Sequence, residues 1–261
     1  MQVLERLALQ VKSLRQVVSE PGYSGRVIQL VQGIAAAQTP SVLLELLFDV
    51  TVAMGADSAA FVSHVRGDFA HETFRFVLAC DPRWCFEYKT KAAYADDPWI
   101  LYASSNSEPI CASEIPALTK PQREVRALAI KYGMVSALVV PAPFGGAQCR
   151  VGMLAIGSKR EGFFEGDGVA PFQVLARSLW MELQGWWVRR LRKEMIDELG
   201  ITAQDLQLLG LERFGFGTKQ AATQLGLSLA SVDSRWQRLN RKLNTPNRAA
   251  AARFSIAYGL I

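Results

Sequence analysis

The chain has 261 residues, half of them hydrophobic and a fifth charged, a composition that suits a packed core and excludes wholesale disorder. Its apolar runs are broken by charge or glycine well short of a membrane span, and Glu5, Arg6, Lys12 and Arg15 interrupt the first segment as no secretory leader allows; a cytoplasmic protein with no membrane partner is expected. The net charge of +5 is confined to one end: from Ile201 onward eight Lys and Arg face three acids, while residues 1–200 balance, and such asymmetry points to a polyanion partner for the last quarter.

Residues 1–20 read as an amphipathic helix with Val3, Leu7, Val11, Leu14 and Val18 on one face, ended by Pro21-Gly22. Two further helices follow, "GRVIQLVQGIAAAQ" and "SVLLELLFDVTVAMGA", the second entered through Pro40-Ser41. "DSAAFVSHV" and "ETFRFVLAC" are partly alternating apolar runs either side of a Gly-Asp turn, hence paired strands. "PRWCFEYKTKAAY" returns to helical spacing, and "DDPWILYASSNSEPICASEIP" reads as a long loop. "KPQREVRALAIKYG" is a charged helix closed by Gly133, and "VSALVVPAPFGGAQCRVGMLAIGS" is strand, Gly-Gly turn, strand. A long helix, "GDGVAPFQVLARSLWMELQGWWVRRLRKEM", runs into a basic stretch. The expectation is an α+β chain: a helical extension over 1–24, an α/β/α sandwich with a central antiparallel sheet over 25–185, a linker over 186–200 and an all-α domain of four short helices over 201–261.

Cys80, Cys85, Cys111 and Cys149 are not spaced as CxxC and none adjoins a histidine, so free thiols are expected rather than zinc or disulfides. With two histidines, His64 and His71, and no nucleophile–base spacing or phosphate loop, no catalytic residue, metal or cofactor is expected. An enzyme working through Cys80, Cys85 or His71 is the reading from another class.

In the last domain, Thr202-x-x-Asp205 forms a capping-box pattern opening the first helix, Gly215 and Gly217 stop it, Thr218 can cap the second, Gly226 turns the chain and Ser228 can cap the third. In that third helix, within "LSLASVDSRWQRLNRKL", Val232, Trp236, Leu239 and Leu243 make one apolar stripe, and the opposite face carries Asp233, Ser234, Gln237, Arg241 and part of Arg238. Helix, glycine turn and a second helix with one anchored and one basic face describe a helix-turn-helix, whose second helix enters the major groove of double-stranded DNA. Candidate DNA contacts are Thr218, Lys219, Ala230 and Ser231 at the helix starts, Asp233, Ser234 and Gln237 for base edges, and Arg238, Arg241 and Lys242 for phosphates.

"ITAQDLQLL", Gly215, "TKQAATQLGLS…SV", "RKLNTPNRAAAA" and the ending "GLI" resemble the helix-turn-helix of LuxR-type regulators, departing at Asp205, Gln220, Ala221, Asp233 and Arg235. The last two stand where that family often has Lys and His. Upstream, Trp84, Tyr88, Asp97 and Pro98, spaced W-x3-Y-x8-D-P, resemble the acyl-homoserine-lactone-binding domain of quorum-sensing LuxR-type regulators. The resemblance implies that the Trp84 indole donates to the lactone carbonyl, the Asp97 carboxylate accepts from the ligand amide, and Tyr88 closes the pocket. A buried ligand amide needs such an acceptor. Trp99 joins this set. Cys80, Cys111, Ala112, Ala137 and Ala155 stand where relatives carry bulkier, more polar or otherwise different side chains, which implies a roomier acyl end. The resemblance therefore implies a homodimeric transcriptional regulator sensing an acyl-homoserine lactone or related autoinducer, with a ligand-independent or non-lactone-sensing regulator as the alternative.

Overall fold

The computed structural model describes residues 12–65, 73–90, 93–142 and 150–261. Val3, Leu7, Val11, His71, Cys149 and both expected turns, Gly67-Asp68 and Gly145-Gly146, lie outside the described residues. Among the described residues no helix is long and apolar enough to cross a membrane.

Among the described residues, eleven α-helices and five strands make an α+β chain, as expected. A short helix α1 (Leu14–Val18) is followed by α2 (Tyr23–Ile34) and α3 (Pro40–Ala53), packed on each other. Thr39 caps α3 through Val42 N, and Pro40 takes the first turn, where its missing N–H costs nothing. Then come β1 (Ser58–Val65), β2 (Thr73–Ala79), α4 (Pro82–Thr90), α5 (Pro98–Ala103), the two-residue β3 (Ile110–Cys111), α6 (Lys120–Lys131), β4 (Ser136–Pro141) and β5 (Arg150–Ser158). The sheet order is β2-β1-β5-β4-β3, with β3–β4 and β4–β5 antiparallel.

Every residue of β4 is buried, so both faces of the sheet are covered there, and "SALVVP" accordingly reads as an unbroken apolar run rather than an alternating one. On one face, a Cβ placed on Gly152 of β5 would lie 3.2 Å from Trp180 Cζ2, on the long helix that follows. On the other, a Cβ on Gly157 would lie 2.6 Å from Met134 Cγ and 2.7 Å from Ser58 Oγ, so only glycine lets the chain past α6 approach the sheet this closely. The stretch expected as a long loop departs most from the sequence reading. Asp97 caps α5 there, Cys111 pairs with Leu138, and Ala112–Glu114 form a 3-10 turn.

Helix α7 (Val169–Leu199) has 31 residues and includes the stretch 186–200 expected as a linker, all but its last residue helical. The described residues fall into two compact units, one ending at Gln184 and one made of 185–261 with the described parts of 64–74 and 145–151. The second unit holds α8 (Ala203–Arg213), α9 (Thr218–Leu225), α10 (Leu229–Leu243) and α11 (Arg248–Ala257). Its core joins Leu208, Leu209, Val232, Trp236, Leu239, Leu243, Phe254 and Tyr258 with Leu191 and Met195 of α7. The 186–200 stretch is helical because it supplies part of this core.

Candidate functional site

Trp84 and Tyr88 sit one turn apart on α4, and their rings stack with centroids 4.6 Å apart and planes at 26°. Both are buried. Tyr88 Oη donates to Asp97 Oδ2 at 2.6 Å, while Asp97 Oδ1 accepts from Trp99 N at 2.8 Å and Ile100 N at 3.4 Å. Asp97 is thus the N-cap of α5 as well as the partner of the phenol, and Pro98 suits the position after it.

Burial pushes the Asp97 carboxyl above its ordinary value, although the bonds from Tyr88, Trp99 and Ile100 pull the other way. Burial, then the adjacent carboxylate, raise the Tyr88 phenol, so the proton stays on Tyr88. Trp84 Nε1 is the counterpart: a buried donor with no hydrogen-bond partner among the described residues. An enclosed N–H of this kind costs free energy unless something accepts from it. The carboxylate still has acceptor capacity, since two oxygens offer about four lone pairs and three are engaged. The site therefore holds one unused donor and one partly used acceptor on a packed aromatic wall.

Among the remaining candidates, Trp99, Ala112, Ala137 and Ala155 are buried. The register pairs Ala137 with Gly157 and Val139 with Ala155, so by strand alternation Ala137 and Ala155 share the sheet face that meets Met134. Helix α5, capped by Asp97, packs on β4, which carries Ala137. Cys111 Sγ donates to Phe164 O at 3.0 Å, and burial pushes its thiol up to about 11. Cys80 is half-buried; burial, then the neighbouring Cys85, push its thiol up to about 12, which makes it a poor nucleophile. Cys80 lines a groove of about 1190 Å3 together with Leu44, Phe48, Ile130 and Val135; Trp84, Tyr88 and Asp97 do not line it.

In the second unit, α10 buries Val232, Trp236, Leu239 and Leu243 and exposes Ala230, Ser231, Asp233, Ser234, Gln237, Arg238 and Arg241. Gly226, at φ 64°, makes the left-handed turn between α9 and α10 that a side chain would strain. Ser228 caps α10 through Ser231 N. Gly217, not Thr218, is the cap of α9: the Gln220 side chain accepts from Gly217 N at 2.9 Å, and Thr218 is the first helical residue. Lys219, Arg238 and Arg241 are exposed, and their side chains make no hydrogen bond or ion pair among the described residues. Lys242 differs, as its Nζ donates to Gly200 O at 2.7 Å and Asp205 Oδ2 at 2.8 Å. Asp233 accepts from Arg248, a residue absent from the sequence-derived set. Arg248 directly follows Asn247, the cap of α11, and its reach to α9 and α10 was not legible in the sequence.

The profile of the autoinducer-binding domain matches residues 39–180, more than half of the chain, and the chain belongs to that family. The four residues that suggested LuxR-type quorum-sensing regulators, Trp84, Tyr88, Asp97 and Pro98, lie within the matched span, so that resemblance is borne out. In fold, the chain is similar to SdiA of Escherichia coli, at TM-score 0.64 and 17% identity over 92% of this chain and 99% of that one. It is also similar to SdiA in complex with octanoyl-rac-glycerol, at TM-score 0.63 and 17% identity over 90% and 95%. A third similar structure is CepR2 of Burkholderia cenocepacia, an N-acylhomoserine-lactone-dependent LuxR-family transcriptional factor, at TM-score 0.56 and 15% identity over 66% and 98%. No curated protein sequence matches the chain.

Proposed function

We propose that the chain is a ligand-responsive transcriptional regulator that binds a small acylated signal in its first unit and double-stranded DNA, as a homodimer, through its second. The observation that carries the first part is the Trp84 indole, unpartnered among the described residues and stacked on Tyr88, whose hydroxyl donates to the buried Asp97 carboxylate. One buried donor and one buried acceptor match a ligand with a carbonyl and an amide N–H, which an acyl-homoserine lactone has. The small, buried side chains of Ala112, Ala137 and Ala155 support an acyl part of the signal. The second part is supported by α10, where a basic, exposed face lies opposite a buried stripe. Paired half-sites on DNA suit a two-fold protein, which supports the homodimer.

A signal with an acyl chain but no lactone is the second reading. It is favoured by the octanoyl-rac-glycerol bound to SdiA, a protein of the same fold.

Mass spectrometry of what copurifies from cells supplied with acyl-homoserine lactones, followed by thermal unfolding with each compound, tests the first part. A lactone should copurify and raise the unfolding temperature, because a ligand that binds only the folded state stabilises by mass action. A shift with acylglycerols and none with lactones would favour the second reading; no shift with either would overturn both.

A further inference from the structure

Arg248 opens α11, and its side chain reaches two other helices. Nη1 donates to Thr218 Oγ1, on the first residue of α9, at 2.7 Å. Nη2 donates to Asp233 Oδ1, on α10, at 2.5 Å. The guanidinium carbon stands 5.3 Å from the ring centroid of Trp236, the buried aromatic anchor of α10. One planar fork therefore ties α9, α10 and α11 together, a geometry that an ammonium on a flexible stem cannot reproduce.

The location of the cluster gives it meaning. Asp233 stands on α10 one residue from Ser234 and one turn from Gln237, both exposed. A free carboxylate there would repel phosphate, whereas one paired with a guanidinium does not. The side chains of Asp233 and Arg248 are 55% and 30% exposed, so the ion pair alone is a weak contact. The hydroxyl bond and the ring contact that converge on the same guanidinium make it a three-way junction.

Resting on the DNA-binding reading above, we propose that Arg248, Asp233 and Thr218 form a clamp across α9, α10 and α11 that sets how the exposed face of α10 meets DNA. Asp233 and Thr218 are then positioning residues, base reading falls to Ser234 and Gln237, and Arg248 spends its charge inside the protein rather than on a phosphate.

The test uses the full-length chain unaltered, with Asp233→Ala, with Arg248→Ala, with both, and with Arg248→Lys, which keeps the charge and loses the fork. Thermal unfolding without DNA comes first. The double variant should unfold no lower than the worse single variant; additive losses overturn the clamp. Binding is then measured over a range of salt to duplexes that the unaltered protein selects from a randomised pool, and to a random-sequence duplex. Both single variants, the double variant and Arg248→Lys should lose roughly tenfold in preference for the selected duplex, with the salt dependence unchanged. Coupled unfolding with full discrimination retained would make the cluster a stability feature and overturn the proposal. So would a changed base at one position in Asp233→Ala alone, which marks a base reader, or a salt slope about one lower in Arg248→Ala, which marks a phosphate contact. If the unaltered protein binds no duplex at any salt, with or without acyl-homoserine lactones and acylglycerols, the DNA-binding reading itself fails, and the clamp's role falls with it.

Discussion

Trp84 Nε1 is a buried donor with no acceptor among the described residues, and Asp97 is a carboxylate held away from water. Both cost stability, and the cost of the orphan indole is recoverable by a group that accepts from it. Replacing Trp84 with Phe removes the orphan N–H and keeps an aromatic ring against Tyr88. Unfolding of the ligand-free protein should change by no more than about 1 kcal/mol, while the half-maximal signal concentration in a reporter assay rises roughly tenfold, the scale of one lost hydrogen bond. Asp97→Asn separates stability from function in the same way. The folded-state pKa of Asp97 is raised, so its contribution to stability is full below the unfolded value near about 4 and is lost as pH rises through the folded value. At neutral pH the charged group is therefore a cost. The Asn variant should be more stable than the unaltered chain at pH 7, with the difference closing as pH falls toward about 4. Its ligand response should weaken by about 2–4 kcal/mol, since a charged acceptor is gone. A denaturation series across pH and a dose-response curve read the two effects independently. The pairing of Tyr88 with Asp97 was not legible beforehand: the spacing placed both residues in the site, but that the phenol donates to the carboxylate depends on how α5 meets α4.

Among the elements, α10 shows how far periodicity carries. Its buried stripe, Val232, Trp236, Leu239 and Leu243, is the one the 3.6-residue repeat predicts. Its cations, which look alike in sequence, separate in the structure. Arg241 is exposed and unpaired among the described residues, whereas Lys242 ties the end of α7 to α8 through Gly200 O and Asp205. Arg241→Ala should leave unfolding unchanged and lower the salt slope of DNA binding by about one. Lys242→Ala should lower stability by about 1 kcal/mol, through the carbonyl and carboxylate it leaves behind, with a smaller change in slope. Equal slopes and equal stabilities for the two variants would show that the tie to Gly200 and Asp205 has no energetic weight. Helix α5 makes the opposite point. Asp97-Pro98 is a cap followed by a first-turn proline, a legible start, yet six residues are too few to show a period, and the stretch read as loop.

At the scale of the whole molecule, α7 decides where the second unit begins. Leu191 and Met195 belong to its core, so a fragment starting at Ile201 lacks two buried side chains that a fragment starting at Gly185 keeps. The shorter fragment should be less stable by about 2–5 kcal/mol for each core side chain lost, enough to leave a small helical domain largely unfolded; circular dichroism melting of the two fragments measures it. Equal melting would remove α7 from that core. Hydrophobic period, turn residues and charge distribution are properties of neighbours along the chain. They were therefore enough to define the α+β class, most of the order of helices and strands outside the stretch that holds α5 and β3, the apolar stripe of α10 and the basic end of the molecule. The pairing of Tyr88 with Asp97, the solitude of the Trp84 indole, the shared face of Ala137 and Ala155, and the reach of Arg248 to Thr218 and Asp233 join residues that are distant in sequence or on different elements. No local pattern encodes such distances, because they follow from strand register and from the angles at which helices pack, and those are settled only when the core closes.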